Sequence, residues 1–92
     1  MIPFITRGIT IKGKVQGVFF RKYAQKAALE EGVKGFVKNC SDGSVYAEVS
    51  GTEECVERFI SWCYKGSPSA VVMEVIIEKK EPVHFASFDI RY

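Results

Sequence analysis

Val33-Lys34-Gly35-Phe36-Val37-Lys38-Asn39-Cys40-Ser41-Asp42-Gly43-Ser44-Val45-Tyr46-Ala47-Glu48-Val49-Ser50 reads as a strand, a tight turn and a second strand. Val33, Phe36 and Val37 carry the chain up to Asn39-Cys40. Asp42-Gly43 is a dipeptide that favours a hairpin turn, because both residues tolerate the left-handed backbone that such turns require. Beyond it Val45, Ala47 and Val49 face one way and Tyr46, Glu48 and Ser50 the other, the period of two of a half-buried strand. A hairpin at the middle of a short chain makes the flanks decide the topology.

On the N-terminal side, Arg21 to Glu31 is rich in helix formers, with Ala24, Ala27, Ala28 and Glu31 at three- and four-residue spacing and Gly32 as a left-handed stop. Before it, Ile5, Ile9, Ile11 and Val15 alternate with Thr10 and Lys12, a strand over residues 4–13. On the C-terminal side Thr52 is an N-cap, with Glu53 and Glu54 in the first turn, where the helix dipole favours acids. Val56, Phe59, Ile60 and Cys63 then form one apolar stripe on a second helix. Lys65-Gly66-Ser67-Pro68-Ser69 breaks that helix. Ala70 to Glu78 is a β-branched strand whose pattern does not decide which face is inward, with Glu74 and Glu78 expected together on the outer side. After a turn at Lys79-Lys80-Glu81-Pro82, Phe88, Ile90 and Tyr92 alternate with Ser87, Asp89 and Arg91 as a last strand.

The order is β-α-β-β-α-β with a further short strand at the C-terminus, the α+β arrangement of ferredoxin-like sandwiches. Two helices are expected on one face of an antiparallel sheet, in one domain over residues 1–92. In that topology the third strand lies between the first two, whose C-terminal ends share one sheet edge. At strand spacings of roughly 4.8 Å those ends are about 10 Å apart, room for a phosphate and one water.

The chain has 92 residues, 47% of them hydrophobic and 26% charged, which places it among folded single domains rather than disordered chains. Thirteen basic residues against 11 acidic ones leave a net charge of +2 and no block of one sign, so no electrostatic footprint for nucleic acid is present. Met1-Ile2-Pro3-Phe4-Ile5 is too short for a membrane span and lacks the basic start of a secretion signal, so a cytoplasmic protein without membrane attachment is expected. Cys40, Cys55 and Cys63 form no Cys-x-x-Cys pair, and His84 is the only histidine. Reduced thiols and no metal site are the expectation, with Cys40 the thiol nearest a turn.

One stretch carries chemistry. Gly13-Lys14-Val15-Gln16-Gly17-Val18-Phe19-Phe20-Arg21 leaves the first strand as a glycine-bracketed loop and delivers an arginine at the mouth of a helix. Backbone N–H groups turned inward form a nest for phosphate oxygens, and the helix N-terminus adds its positive dipole end. The guanidinium fork bonds two oxygens of one phosphate and stays charged at any working pH. Asn39 ends the second strand on the same sheet edge.

The loop, together with Gly35-Phe36-Val37-Lys38-Asn39, Asp42-Gly43-Ser44-Val45, Gly66-Ser67-Pro68-Ser69-Ala70 and Phe88-Asp89-Ile90-Arg91-Tyr92, resembles the acylphosphatase family over nearly the whole chain. Family members more often carry tryptophan at Phe36, arginine at Lys38 and proline at Ser67, departures that touch no catalytic position. The resemblance implies a free-standing hydrolase that splits the carboxyl-phosphate bond of a small acyl phosphate, without a cofactor. It implies Arg21 as the phosphate-binding residue and Asn39 as the residue orienting the attacking water. The loop residues Val15, Gln16, Gly17, Val18, Phe19 and Phe20 would line the phosphate cradle, and inorganic phosphate would be both product and competitive inhibitor of a monomeric enzyme.

Other matches carry less. Gly8 to Val15 mimics a P-loop but has Val15 where Ser or Thr is required and reads as strand. Asn39-Cys40-Ser41 is a glycosylation pattern with no secretory signal before it. Phe19 and Phe20 are expected to pack the loop onto the sheet, and His84 to be a surface or partly buried residue. RNA-recognition modules share the element order but place aromatics on the third strand, where this chain has Tyr46 and Glu48. A noncatalytic or specialised acylphosphatase-like domain, as in carbamoyl-transferring hydrogenase maturation factors, is the nearer rival. The end of the chain at Tyr92 and the presence of both Arg21 and Asn39 favour the free enzyme.

Overall fold

The computed structural model describes residues 4–92, and the apolar start Met1 to Pro3 lies outside the described residues. The elements run β1 (Phe4–Lys14), α1 (Phe20–Glu31), β2 (Lys34–Asn39), β3 (Val45–Thr52), α2 (Glu53–Lys65), β4 (Val71–Lys80) and β5 (Phe88–Arg91). The strands form one sheet in the order β4-β1-β3-β2-β5. The third strand therefore lies between the first two, as the topology requires. No helix among the described residues is long and apolar enough to cross a membrane.

The sheet corrects one expectation. β1 pairs antiparallel with β3 and β4, and β2 with β3, but β5 runs parallel to β2, so the sheet is mixed. The reason is the path of the chain between β4 and β5. β4 lies on one edge and runs against β1, and β5 starts on the opposite edge at the end where β4 stopped. The connecting segment is tied across that end: the Val83 N–H donates to Thr6 Oγ1 at 2.9 Å, the Gly35 N–H donates to the Ser87 carbonyl at 2.9 Å, and His84 stacks on Phe4 at 4.4 Å. As a result β1, β2 and β5 all finish at the same edge of the sheet.

Cross-strand register places Ile77, Ile9, Ala47, Val37 and Ile90 in one row, facing the helices. Both helices cover that face, with Ala24, Ala27 and Ala28 of α1 and Val56, Phe59 and Cys63 of α2 buried against it. The alanines let α1 lie close to the sheet, and Phe59, 0% exposed, fills the space between α2 and the strands. Burying a ring of this size contributes about 1.5–3 kcal/mol. Burial also holds the Cys63 thiol well above its ordinary range, in its protonated form. Glu74 and Glu78 pair with Lys12 and Gly8 on the outer face and are exposed, which decides the orientation the β-branched run left open.

Gly13 belongs to β1 rather than to the loop. The register between β1 and β4 shifts at Lys12/Gly13, and Gly13 takes φ 132°, where a Cβ would run into the Val71 carbonyl. This bulge turns the strand just before the chain leaves it.

Candidate active site

From Val15 to Phe20 the chain alternates between anchors and exposed positions. Val15, Val18 and Phe20 are buried at 1%, 7% and 2% exposure, while Gly17 and Phe19 face solvent. Phe20 packs at 5.1 Å from the Trp62 ring of α2. Behind the loop, the buried hydroxyl of Ser67 donates to the Val18 carbonyl at 2.8 Å, so the segment between α2 and β4 holds the loop backbone from the rear. Gly17 adopts φ 74°, with nothing within 4 Å of the place a Cβ would occupy; backbone conformation, not crowding, is what demands glycine there.

Among the described residues, no hydrogen bond within the protein uses the backbone N–H groups of Gln16 to Phe20. Five consecutive donors are thus left for something else, directly before the N-terminus of α1. α1 has no side-chain cap bond and no acid in its first turn. Arg21 stands there instead.

The guanidinium of Arg21 is held from β5. Its Nη1 donates to the Arg91 carbonyl at 3.1 Å, and its Cζ lies 4.7 Å from the centre of the Tyr92 ring. A guanidinium has five N–H donors, so one bond to Arg91 positions the fork while leaving the rest free for an anion. Gln25, one turn further along α1, donates from Nε2 to the Phe88 carbonyl at 2.9 Å and ties the helix to the same strand.

Asn39 comes from the other side. It is two residues beyond Val37 and pairs with Val45, which pairs in turn with Ile11 of β1. The pleat therefore places it on the helix-bearing face, at the last row before the strands end. Its hairpin is rigid: Cys40 N–H donates to Ser44 O at 2.8 Å, and Asp42 Oδ1 accepts from both the N–H and the hydroxyl of Ser44. Those two bonds hold the Asp42 carboxyl below its usual range, the hydroxyl contributing most. Gln16 joins loop to hairpin, its Nε2 donating to the Cys40 carbonyl at 2.7 Å and the Ser44 carbonyl at 2.9 Å.

Arg21 and Asn39 line one open cleft of about 690 Å³ together with Val15, Gly17, Phe19, Phe20, Lys22, Gln25, Ile90 and Tyr92. The lining holds two cationic side chains and no acidic or histidine side chain. His84 lies elsewhere, stacked on Phe4.

Phe19 departs from the expectation that it packs the loop onto the sheet. It is 74% exposed, with φ 59° and ψ 28°, the only non-glycine residue with positive φ among the described residues. Its two neighbours turn inward, and the left-handed backbone between them turns its ring out. That conformation costs a side chain about 1–2 kcal/mol. The contacts made by the side chains of Gln16 and Gln25 and by the Arg91 carbonyl leave no local signal in the sequence, since their partners lie 24, 63 and 70 positions away.

A model of the acylphosphatase family matches residues 7–90. An acylphosphatase of Thermotoga maritima is 42% identical over 84 residues, covering 91% of this chain and 93% of the relative. The structure of an acylphosphatase from Coxiella burnetii superposes with a TM-score of 0.92 at 34% identity, covering 96% of this chain and 93% of that one. Full-length HypF in its phosphate- and nucleotide-bound form contains a similar fold, with a TM-score of 0.88 at 30% identity, but the match spans 12% of that chain.

Proposed function

The chain belongs to the acylphosphatase family, and we propose that it hydrolyses acyl phosphates in the cleft between the 15–20 loop, Arg21 and Asn39. One observation carries this reading: Gly17, Phe19 and Phe20, from a loop whose N–H groups are unused among the described residues, border one cleft with Arg21 and Asn39, and that cleft has no acidic or histidine side chain in its lining.

The chemistry needs little more. The phosphate of the substrate sits in the cradle of Gln16 to Phe20, with the Arg21 fork on its equatorial oxygens. The Asn39 carboxamide accepts a hydrogen bond from a water and holds it in line with the bond to be broken. The water oxygen attacks phosphorus, the bond from phosphorus to the acyl oxygen breaks, and its electron pair leaves with the carboxylate. The proton released by the water passes to a phosphate oxygen. A carboxylate is a good leaving group and requires no protonation, so the absence of a general acid from the lining is no obstacle. Phosphoryl transfer asks mainly for position and charge stabilisation, and a preorganised donor of this kind contributes about 3–4 kcal/mol. Every group in this scheme comes from one chain, so a monomer suffices, and inorganic phosphate competes for the same cradle.

The test is hydrolysis of acetyl and benzoyl phosphate by the purified protein and by Asn39→Ala. Asn39→Ala keeps its affinity for inorganic phosphate and loses about 100- to 1,000-fold in kcat. Turnover equal to wild type would remove Asn39 from the mechanism. In ¹⁸O-labelled water the label appears in inorganic phosphate; label in the carboxylate would mean attack at carbon and overturn the scheme.

A further inference from the structure

Phe19 is the wrong residue for its place on every local criterion. A left-handed backbone favours glycine or asparagine, an N-cap favours a short polar side chain, and a position 74% exposed gives a phenyl ring nothing to bury against. The chain supplies glycine two positions earlier for a similar positive φ, 74° at Gly17 against 59° at Phe19. Among the described residues the Phe19 ring makes no aromatic contact, whereas Phe20 beside it packs on Trp62. What Phe19 does have is a place on the cleft, which Tyr92, 99% exposed, and the half-buried Ile90 also line. A residue that breaks local rules without any gain in packing, at the edge of a binding cleft, marks function.

We propose that Phe19 determines acyl-group specificity, forming with Tyr92 and Ile90 an apolar wall that selects acyl phosphates whose acyl carbon bears an aromatic or bulky apolar group. The inference rests on the proposed hydrolysis and names the half of the substrate that Arg21 and Asn39 do not read. The left-handed backbone presents the ring to the incoming acyl group while the N–H groups on either side of it remain free for the phosphate. Bound substrate covers the ring, which the protein leaves largely exposed.

The probes are two non-hydrolysable isosteres, phenacylphosphonate for benzoyl phosphate and acetonylphosphonate for acetyl phosphate, with inorganic phosphate as reference. Wild type binds the phenacyl compound about tenfold more tightly than the acetonyl one, equivalent to about 1.4 kcal/mol. Phe19→Gly and Phe19→Asn, both suited to the backbone, bring the ratio to about one and raise the melting temperature. Phe19→Tyr keeps the wild-type ratio. A ratio that survives in Phe19→Gly overturns the proposal, as does an equal weakening of phosphate and both isosteres, which would make Phe19 a shaper of the loop. The two readings fail separately: absence of acyl phosphate hydrolysis by wild type defeats the proposed activity, whereas the isostere ratio decides the role of Phe19.

Discussion

The two helices begin in opposite ways. At α2, Thr52 Oγ1 accepts the Cys55 N–H at 3.3 Å and Glu53 and Glu54 fill the first turn, so the protein itself caps one of the free donors and offsets the positive dipole end. At α1 the N-cap is Phe19, with no side-chain bond and no acid in the first turn, and the preceding N–H groups are unused. Arg21 adds positive charge where α2 carries two acids. The same backbone physics thus gives a self-capped terminus in one helix and a terminus with unused donors in the other, the place where the proposed function puts the phosphate, and the difference lies in what the sequence withholds.

The largest break in that comparison comes from Arg21→Ala. It removes the guanidinium and lowers kcat/KM for benzoyl phosphate by about 1,000-fold or more, with loss of phosphate affinity in titration. Arg21→Lys is also poor, because an ammonium keeps the charge but not the planar fork. Gln16→Ala comes next. Losing the two bonds from loop to hairpin costs about 1–2 kcal/mol in denaturant unfolding and lowers kcat about tenfold, while phosphate binding through the backbone persists. Thr52→Ala sharpens the contrast from the other side: stability falls by about 1 kcal/mol and the melting temperature by about 4–8 °C, with kcat/KM unchanged.

The smallest effect belongs to the hairpin turn. The Ser44 hydroxyl and N–H hold the folded Asp42 carboxyl below its unfolded value, so its contribution is complete above the ordinary carboxylate range. It is lost as the pH falls through the lowered folded value. Asp42→Asn is therefore slightly less stable than wild type at neutral pH, and the gap between their stability curves closes in strong acid.

Much of this was legible from residues that act on their neighbours. The Asp42-Gly43 turn, the Thr52 cap and the Val56, Phe59, Cys63 stripe all appear where the sequence placed them, because turns, caps and helix faces are set within a few residues. The positions of Arg21 and Asn39 relative to one another followed from strand order. Less accessible was the environment of each. The parallel pairing of β5 depends on where the 81–87 segment crosses, and only that pairing puts the Arg91 carbonyl under Arg21. Phe19 and Phe20 look alike as a dipeptide, yet one is 74% exposed and the other 2%, since a single left-handed residue reverses the side to which its ring points.

By itself, then, the sequence determined the elements, their order, the glycine-containing loop before α1 and the residues that end at its edge, because each depends on local periodicity, local backbone preference or the rule that short connections join neighbours. Tertiary structure decided which distant groups serve those residues. Gln16 reaching a hairpin 24 positions away, Ser67 supporting the Val18 carbonyl, and β5 arriving parallel to hold Arg21 are contacts between segments far apart in the chain. Such contacts follow from how the whole sheet closes, and no single segment of the chain carries that information.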